Sequence, residues 1–496
     1  MEKSAEAVVP EASTAGGKGR TSEKERKVSG STDDRQQLKL PFGSPSQEVG
    51  VKPQGTEAGP RSCAAPSSDE PNASGEALLE QVLSRDNMFR ALSRVEANRG
   101  APGIDGMTTK ELPSYLKEHW PAIREALYAG SYQPTPVRRV EIPKPGGDGV
   151  RLLGIPTTLD RLIQQALAQV LGKLFDPHFS DASYGFRPGR SAHQAVRKAQ
   201  GFIRDGHRWV VDVDLARFFD RVNHDKLMAR VARRVKDKRV LKLIRKYLES
   251  GVMLNGVCVK TEEGTPQGGP LSPLLANILL DDLDRELERR GHAFVRYADD
   301  CNIYVGSRRA GERVKESVTR FLRECLSLEV NEAKSAVDRP WRRKFLGFSF
   351  TNRKENPAIR VAPQSLKRAK DRLRQLTWRW RGQSMEQTLE HLNAYARGWA
   401  GYFSLSETKS PFEELDEWVR RRLRAILWHQ WKKPKARARN LIQLGAPANK
   451  SWEWAYSGKK AWRMSGSAPL HRTLDNAYWR AQGLVSLAEI QRLRHI

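Results

Sequence analysis

Phe294-Val-Arg-Tyr-Ala-Asp-Asp-Cys-Asn-Ile-Tyr-Val305 consists of two β-prone runs joined at Ala298-Asp299. Aromatic and β-branched residues suit a pleated strand, and small or acidic residues suit the turn between two strands. The stretch therefore predicts a hairpin with Asp299 and Asp300 at its tip. Two neighbouring carboxylates repel unless a cation relieves them. A hard divalent ion such as Mg²⁺ takes carboxylate oxygens together with substrate phosphates. Asp is also an ordinary turn residue, so this hairpin gains meaning only from what accompanies it.

Upstream lies Trp209-Val-Val-Asp-Val-Asp-Leu-Ala-Arg-Phe-Phe-Asp220. Alternation puts Asp212 and Asp214 on one face of a strand. From a strand end, Asp214 can meet Asp299 and Asp300 across a sheet. Three such carboxylates can hold two cations roughly 3.5–4 Å apart, the arrangement used for in-line phosphoryl transfer. A solvated acidic edge is the plainer alternative, but it leaves the bulky Phe218-Phe219 pair unexplained. Between the two stretches runs Gly264-Thr-Pro-Gln-Gly-Gly-Pro-Leu-Ser-Pro273, leading into an apolar helix over Leu274–Leu283. Glycines permit close backbone approach and prolines stiffen the loop; a loop feeding a helix start also suits an anion.

Farther out, apolar residues recur at helical spacing over Leu78–Val95, stopping at Asn98-Arg99-Gly100, and over Leu159–Leu174. Strands are expected at Val137–Ile142, Trp209–Leu215, Val252–Val259 and Phe294–Val305. Helices and short strands thus alternate from about residue 75 to 350, an α+β arrangement. Residues 1–72, rich in Ser, Gly, Pro, Glu and Lys with Phe42 as their one aromatic, read as a disordered arm. Beyond Thr351 helices dominate, and 29 Lys and Arg face 12 Asp and Glu, so +17 of the total +28 net charge falls there. Ten of the 13 Trp fall there as well, and cations interleaved with flat aromatic rings suit a backbone-tracking, base-stacking surface. About half of those indoles are expected in a core, since indole buries well.

The charge favours a polyanionic partner. No apolar run approaches the roughly 20 residues a bilayer span needs, so no membrane partner is expected. Cys63, Cys258, Cys301 and Cys325 include no CxxC pair, which fits a reduced cytoplasmic chain and excludes a Cys-rich zinc site.

Taken in order, Val213-Asp214-Leu215…Phe218-Phe219-Asp220, Thr265-Pro266-Gln267-Gly268 and Tyr297-Ala298-Asp299-Asp300 resemble the A, B and C motifs of reverse transcriptases. Gly100-Ala-Pro-Gly-Ile-Asp-Gly106, Ile142-Pro-Lys-Pro-Gly146, Arg151-Leu-Leu-Gly-Ile-Pro156, Ser183-Tyr-Gly-Phe-Arg-Pro-Gly189, Asn331-Glu-Ala-Lys334 and Phe345-Leu-Gly-Phe348 resemble the group II intron-encoded branch. The resemblance implies a right-hand polymerase fold: fingers and palm with an antiparallel sheet, then an α-helical thumb or maturase domain. It implies Asp214, Asp299 and Asp300 as catalytic metal ligands, aided by the Leu215 carbonyl, for two Mg²⁺ with Mn²⁺ able to substitute. Lys144 and Arg151 would meet the phosphates of the incoming deoxynucleoside triphosphate, Gln267 the bound nucleotide, and Lys334 the phosphates again. Phe219 would block a ribose 2′-hydroxyl.

Leu392-Asn-Ala-Tyr-Ala-Arg-Gly-Trp-Ala-Gly-Tyr-Phe403 is similar to the thumb or maturase region of the same family, and Trp428-His-Gln-Trp-Lys-Lys-Pro-Lys-Ala-Arg-Ala-Arg439 adds a dense cationic stretch. Arg187, Arg397, Trp399, Trp428, Trp431, Lys432, Lys433, Lys435, Arg437 and Arg439 are the residues expected to grip intron RNA. The expected units are a disordered arm at 1–72, fingers and palm at 73–350, a helical thumb at 351–425 and a basic, Trp-rich nucleic-acid-binding region at 426–496. The expected partners are group II intron RNA, an RNA template, a DNA primer, target DNA and deoxynucleoside triphosphates. With no Cys after Cys325, no metal-stapled endonuclease is expected, as in the compact bacterial class of this family. Two readings compete: a reverse transcriptase of a diversity-generating or defence system, and a splicing cofactor without polymerase activity.

Overall fold

The computed structural model describes residues 77–143, 150–254, 257–259, 264, 268–378 and 382–494. Residues 1–72, residues 144–149 with Lys144, and Thr265-Pro266-Gln267 lie outside them, as does the side chain of Arg151.

A four-stranded antiparallel sheet carries the candidate site. Its order is Ala293–Tyr297, Asp300–Val305, Trp209–Val213, Ala336–Asp338. Its two faces bury different cores, as period-2 alternation requires. Val211, Val213, Phe294, Cys301 and Ile303 face a cluster built with the helices Thr158–Phe175, Ser272–Arg289 and Arg308–Leu326. Val210, Val295 and Tyr304 face a second cluster shared with the helix Ala192–Arg204 and with the helical second half of the chain. A second sheet pairs Val137–Pro143 with Val150–Ile155 in antiparallel register, Ile142 opposite Arg151, and continues through Val252–Leu254 to Val257–Val259.

Several expectations shift at their edges. The helix expected over Leu78–Val95 is two, Leu78–Val82 and Arg85–Asn98, because Leu83-Ser84 leaves the helical path; Ser84 is extended and carries the Met88 amide on its carbonyl. The helix expected to open at Leu274 begins at Ser272, with Pro273 in its first turn, where a missing N–H costs nothing. The strand expected over Val252–Val259 is a short hairpin. A further small hairpin, Phe348–Phe350 with Ile359–Val361, precedes the helices.

Among the described residues those helices are Pro363–Leu376, Met385–Phe403, Ser410–Gln430 and six shorter ones, the last of them Leu487–Arg494. The expected boundary at 425/426 is not a structural break: it cuts the helix Ser410–Gln430. One core runs from Leu389 through Leu423 and Trp428 to Trp479 and Leu487. Asp416 completes the union, its carboxylate accepting from the Leu487 and Ala488 amides and the Ser486 hydroxyl, thereby capping the last helix. Burial pushes the Asp416 carboxyl above its ordinary value.

Candidate active site

Asp214 lies just past the strand Trp209–Val213, where the sheet opens. Val213 pairs with Cys301, so one further step of the antiparallel register sets Asp214 opposite Asp300, side chains on the same face. Asp299 is at the hairpin turn itself, between the paired residues Tyr297 and Asp300. Continued by that one step, the register brings Asp214 level with Asp300, and Asp299 is one residue away in the chain.

The strand end is pinned from the far side. The Asp214 amide donates to Ser335 Oγ at 2.8 Å, and the Asp214 carbonyl accepts from the Asn331 amide at 2.7 Å. Asp214 is 7% exposed. The Ala216 amide donates to the Glu329 carbonyl, so Leu215 forms the non-bonded centre of a bridge with Val330. In an extended chain this turns the Leu215 carbonyl toward the hairpin edge, which suits its expected role. Asp212, on the same face, is used otherwise: Arg343 grips one of its oxygens at 2.5 and 3.0 Å.

The hairpin turn is held in an uncommon conformation. Ala298 has φ +57°, a left-handed angle that costs a non-glycine residue roughly 1 kcal/mol or more. The segment Ser183–Arg187 packs against it. A Cβ at Gly185 would fall on the Ala298 backbone nitrogen, so only glycine fits there. Arg296 is fully buried and donates to the Ala298 carbonyl at 2.8 Å; its ion-pair partner Asp284 is fully buried too. Burial pushes the Asp284 carboxyl up, and the Asp284 charge keeps the Arg296 guanidinium above its ordinary value despite its own burial.

Phe219 stands in a short 3-10 turn, Phe218–Asp220, after Arg217 at φ +48°. Its ring meets Phe218 edge-on at 5.1 Å, and it remains half-buried beside the strand end. A Cβ at Gly264 would press on the Phe219 and Asp220 backbone, and one at Gly268 on the Gly154 carbonyl. The two glycines flanking Gln267 therefore touch the elements that carry Phe219 and Arg151. Lys334 belongs to the turn that supplies Ser335; Arg343 holds its carbonyl at 2.6 Å, and burial lowers its ammonium pKa.

Three of the expected RNA-gripping residues are corrected by burial. Arg187 is 9% exposed and spends its guanidinium on Asp176 and the Ser180 and Ser183 carbonyls, tying down the loop under the hairpin. Trp399 and Trp428 lie in the core, so their faces are closed to a base. Arg397, Lys432, Lys433, Lys435 and Arg439 are exposed; Trp431 and Arg437 are half-buried, Arg437 lying over the Trp428 ring at 4.7 Å. Sequence reading missed Arg296, Asp284, Asn277, Ser335 and Phe186, the last a 61% exposed aromatic at φ +56° with its ring 6.2 Å from that of Tyr297. Asp284 did carry a signal, falling on the apolar stripe of Leu280, Leu283 and Leu287.

Among the described residues no three His, Cys, Asp or Glu side chains form a coordination cluster by themselves. The donor set still fits a hard divalent ion, because Mg²⁺ is commonly held by one or two carboxylates with water and substrate phosphates completing its shell. No helix of the described residues is long and apolar enough to cross a membrane.

Residues 142–350 match the family of reverse transcriptases (RNA-dependent DNA polymerases), and residues 366–445 match the group II intron maturase-specific domain. YkfC of Escherichia coli strain K12 is 32% identical over 308 residues, covering 54% of this chain and 81% of that protein. The group II intron-encoded protein LtrA of Lactococcus lactis subsp. cremoris is 30% identical over 342 residues, covering 56% of this chain and 57% of LtrA. A putative COX1/OXI3 intron 1 protein of Saccharomyces cerevisiae is 28% identical over 350 residues, covering 57% of this chain and 40% of that protein. The match thus spans little more than half of LtrA and less than half of the yeast protein.

Sheet, hairpin and matched residues define an RNA-directed DNA polymerase of α+β, fingers-and-palm architecture. The chain belongs to the family of group II intron-encoded reverse transcriptases, with the polymerase followed by the maturase domain that serves intron splicing. Membership implies a divalent cation as cofactor and nucleic acid, RNA included, as partner.

Proposed function

We propose that Asp214, Asp299 and Asp300, with the Leu215 carbonyl, hold two Mg²⁺ ions, and that the chain copies its own group II intron RNA into DNA while stabilising that RNA for splicing. The observation that supports this is the strand register, Val213 opposite Cys301 and Tyr297 opposite Asp300, which continued by one step brings Asp214 level with Asp300 at the open end of the sheet. Bound there, the ions would supply activation of the primer 3′-hydroxyl and stabilisation of the leaving pyrophosphate. The protein's part is positioning. Ser335 and Asn331 fix the Asp214 backbone, and the turn at Ala298 fixes Asp299. Phe219 walls the sugar side and disfavours a 2′-hydroxyl. Lys144, Arg151 and Lys334 meet the triphosphate, and Gln267 meets the nucleotide.

For the second half, Arg397, Lys432, Lys433, Lys435 and Arg439 present exposed cations. The exposed rings of Trp452, Tyr456 and Trp462 offer stacking faces, Trp452 and Tyr456 lying near parallel at 6.3 Å. We assign intron RNA, and target DNA during mobility, to this surface, with the protein acting in the bacterial cytoplasm. Primer extension on an RNA template, comparing the wild type with Asp299→Ala, tests the polymerase site; equal synthesis by both refutes it. Sequencing the RNA that co-purifies tests the partner: one structured intron should dominate, and a random RNA population would refute the assignment.

A further inference from the structure

Arg296 is fully buried and bridges three separate elements of the molecule. A guanidinium has five N–H donors, and all five are used. Nε donates to Asp284 Oδ1 at 2.7 Å and Nη2 to Asp284 Oδ2 at 2.5 Å. The second Nη2 hydrogen goes to Ser183 Oγ at 2.8 Å, and Nη1 serves Asn277 Oδ1 at 2.9 Å and the Ala298 carbonyl at 2.8 Å. These partners come from the helix Ser272–Arg289, the loop at Ser183 and the hairpin turn. Its backbone is tied as well: the Arg296 amide donates to the Ala182 carbonyl, and its carbonyl accepts from the Tyr184 amide, both at 2.9 Å.

The contacts converge on one place. Asn277, held by Arg296, donates through Nδ2 to the Gly185 carbonyl at 2.8 Å, and Gly185 is the residue whose backbone lies against Ala298. The left-handed Ala298 is thus gripped at its carbonyl by the guanidinium and backed by a loop that the same guanidinium organises. A strained conformation persists only where its surroundings over-determine it. A buried ion pair is weak support for stability, since apolar residues of like volume commonly replace one without loss. Its use here is geometric.

We propose that Arg296 is a positioning residue: through Ala298, and through Asn277 and Ser183, it fixes the turn that aims the Asp299 carboxylate at its cation. This rests on the reading of Asp299 as a metal ligand. Residues that orient metal ligands typically change metal affinity or activity by about 10–100-fold when lost.

The test uses the full-length protein with an RNA template, a DNA primer and deoxynucleotides, titrated with MgCl₂. Arg296→Met alone strands the Asp284 charge, so the principal variant is Arg296→Met with Asp284→Leu, which removes the pair together. It should bind template–primer as the wild type does. The Mg²⁺ concentration for half-maximal extension should rise and the maximal rate fall, each by about 10-fold or more. The KM for template–primer should not move. Asn277→Ala, which keeps the ion pair and loses two links of the clamp, should show the same pattern more mildly. Arg296→Lys retains charge but offers only three donors, and should recover part of the rate. A folded double variant with wild-type rate and Mg²⁺ dependence overturns the proposal. Should the double variant not fold, Asn277→Ala decides in its place, and an unchanged Mg²⁺ dependence overturns the proposal equally. Asp299→Asn separates the two readings. If it extends normally, the metal-ligand reading fails; if it is inactive while the clamp variants are unaffected, the clamp alone fails.

Discussion

The hairpin end of the sheet and the helical end of the chain place most of their cations differently, although the helical half too buries one arginine, Arg424, on the Ser465 and Leu474 carbonyls. Around Ala298-Asp299 the guanidiniums of Arg296 and Arg187 are buried and spent on carbonyls and carboxylates of the protein itself. In the helical half, Arg374 and Arg422 flank Trp418 at 5.9 and 5.0 Å, and Arg421 covers Trp462 at 4.3 Å. Lys432, Lys433 and Lys435 are directed to solvent. Chemistry on a few atoms needs a rigid frame, which saturated buried donors supply. A long polyanion needs many modest cationic and stacking contacts spread over a surface. Sequence motifs therefore carry the first region well and the second poorly.

The largest expected effect concerns the rigid end. Asp214→Asn should lower primer extension by about 10²–10³-fold or more, the range for losing one preorganised electrostatic contact, with folding preserved by circular dichroism. Full activity would detach the strand end from the chemistry. Next come two tryptophans that composition treats alike. Trp428→Ala, at 1% exposure, should cost about 3–5 kcal/mol of stability in denaturant unfolding. Trp452→Ala, at 42% exposure, should leave stability unchanged and weaken RNA binding by about 1–3 kcal/mol. If both variants behave alike, the division between core and surface rings is wrong.

Replacing Lys432, Lys433 and Lys435 together by Ala should flatten the salt dependence of RNA binding. The log–log slope should fall by about 2, at roughly 0.7 per lost phosphate contact on a single strand. An unchanged slope would move the RNA elsewhere. The smallest effect expected is at Phe219. Phe219→Ala should raise ribonucleotide incorporation relative to deoxynucleotide by about 10-fold, a moderate value for a change in pocket size, as read by primer extension with each nucleotide set.

The hairpin, the strand Trp209–Val213 and the helix Thr158–Phe175 were legible because each is a local pattern: alternation across a two-residue turn, or an unbroken apolar stripe. The kink at Leu83-Ser84 was not, since apolar spacing continues through it and only the extended Ser84 reveals the break. Among the tryptophans, burial is decided by tertiary neighbours: Trp399 packs on Phe403 and Phe412, contacts that no local periodicity announces. The clamp was hidden for a similar reason. Arg296 sits in a strand beside the acidic turn and reads as surface charge until Asp284, 12 residues earlier, is found beneath it. An acid on the apolar stripe of a helix was the one hint.

In the proposed site Asp214 joins Asp299 and Asp300 around two cations, and Mn²⁺ reports this arrangement directly. Electron paramagnetic resonance of the protein with RNA template, DNA primer and deoxynucleotide should show a spin-coupled Mn²⁺ pair in the wild type. Asp214→Asn should abolish the coupling. A coupled pair that survives Asp214→Asn unaltered would contradict it.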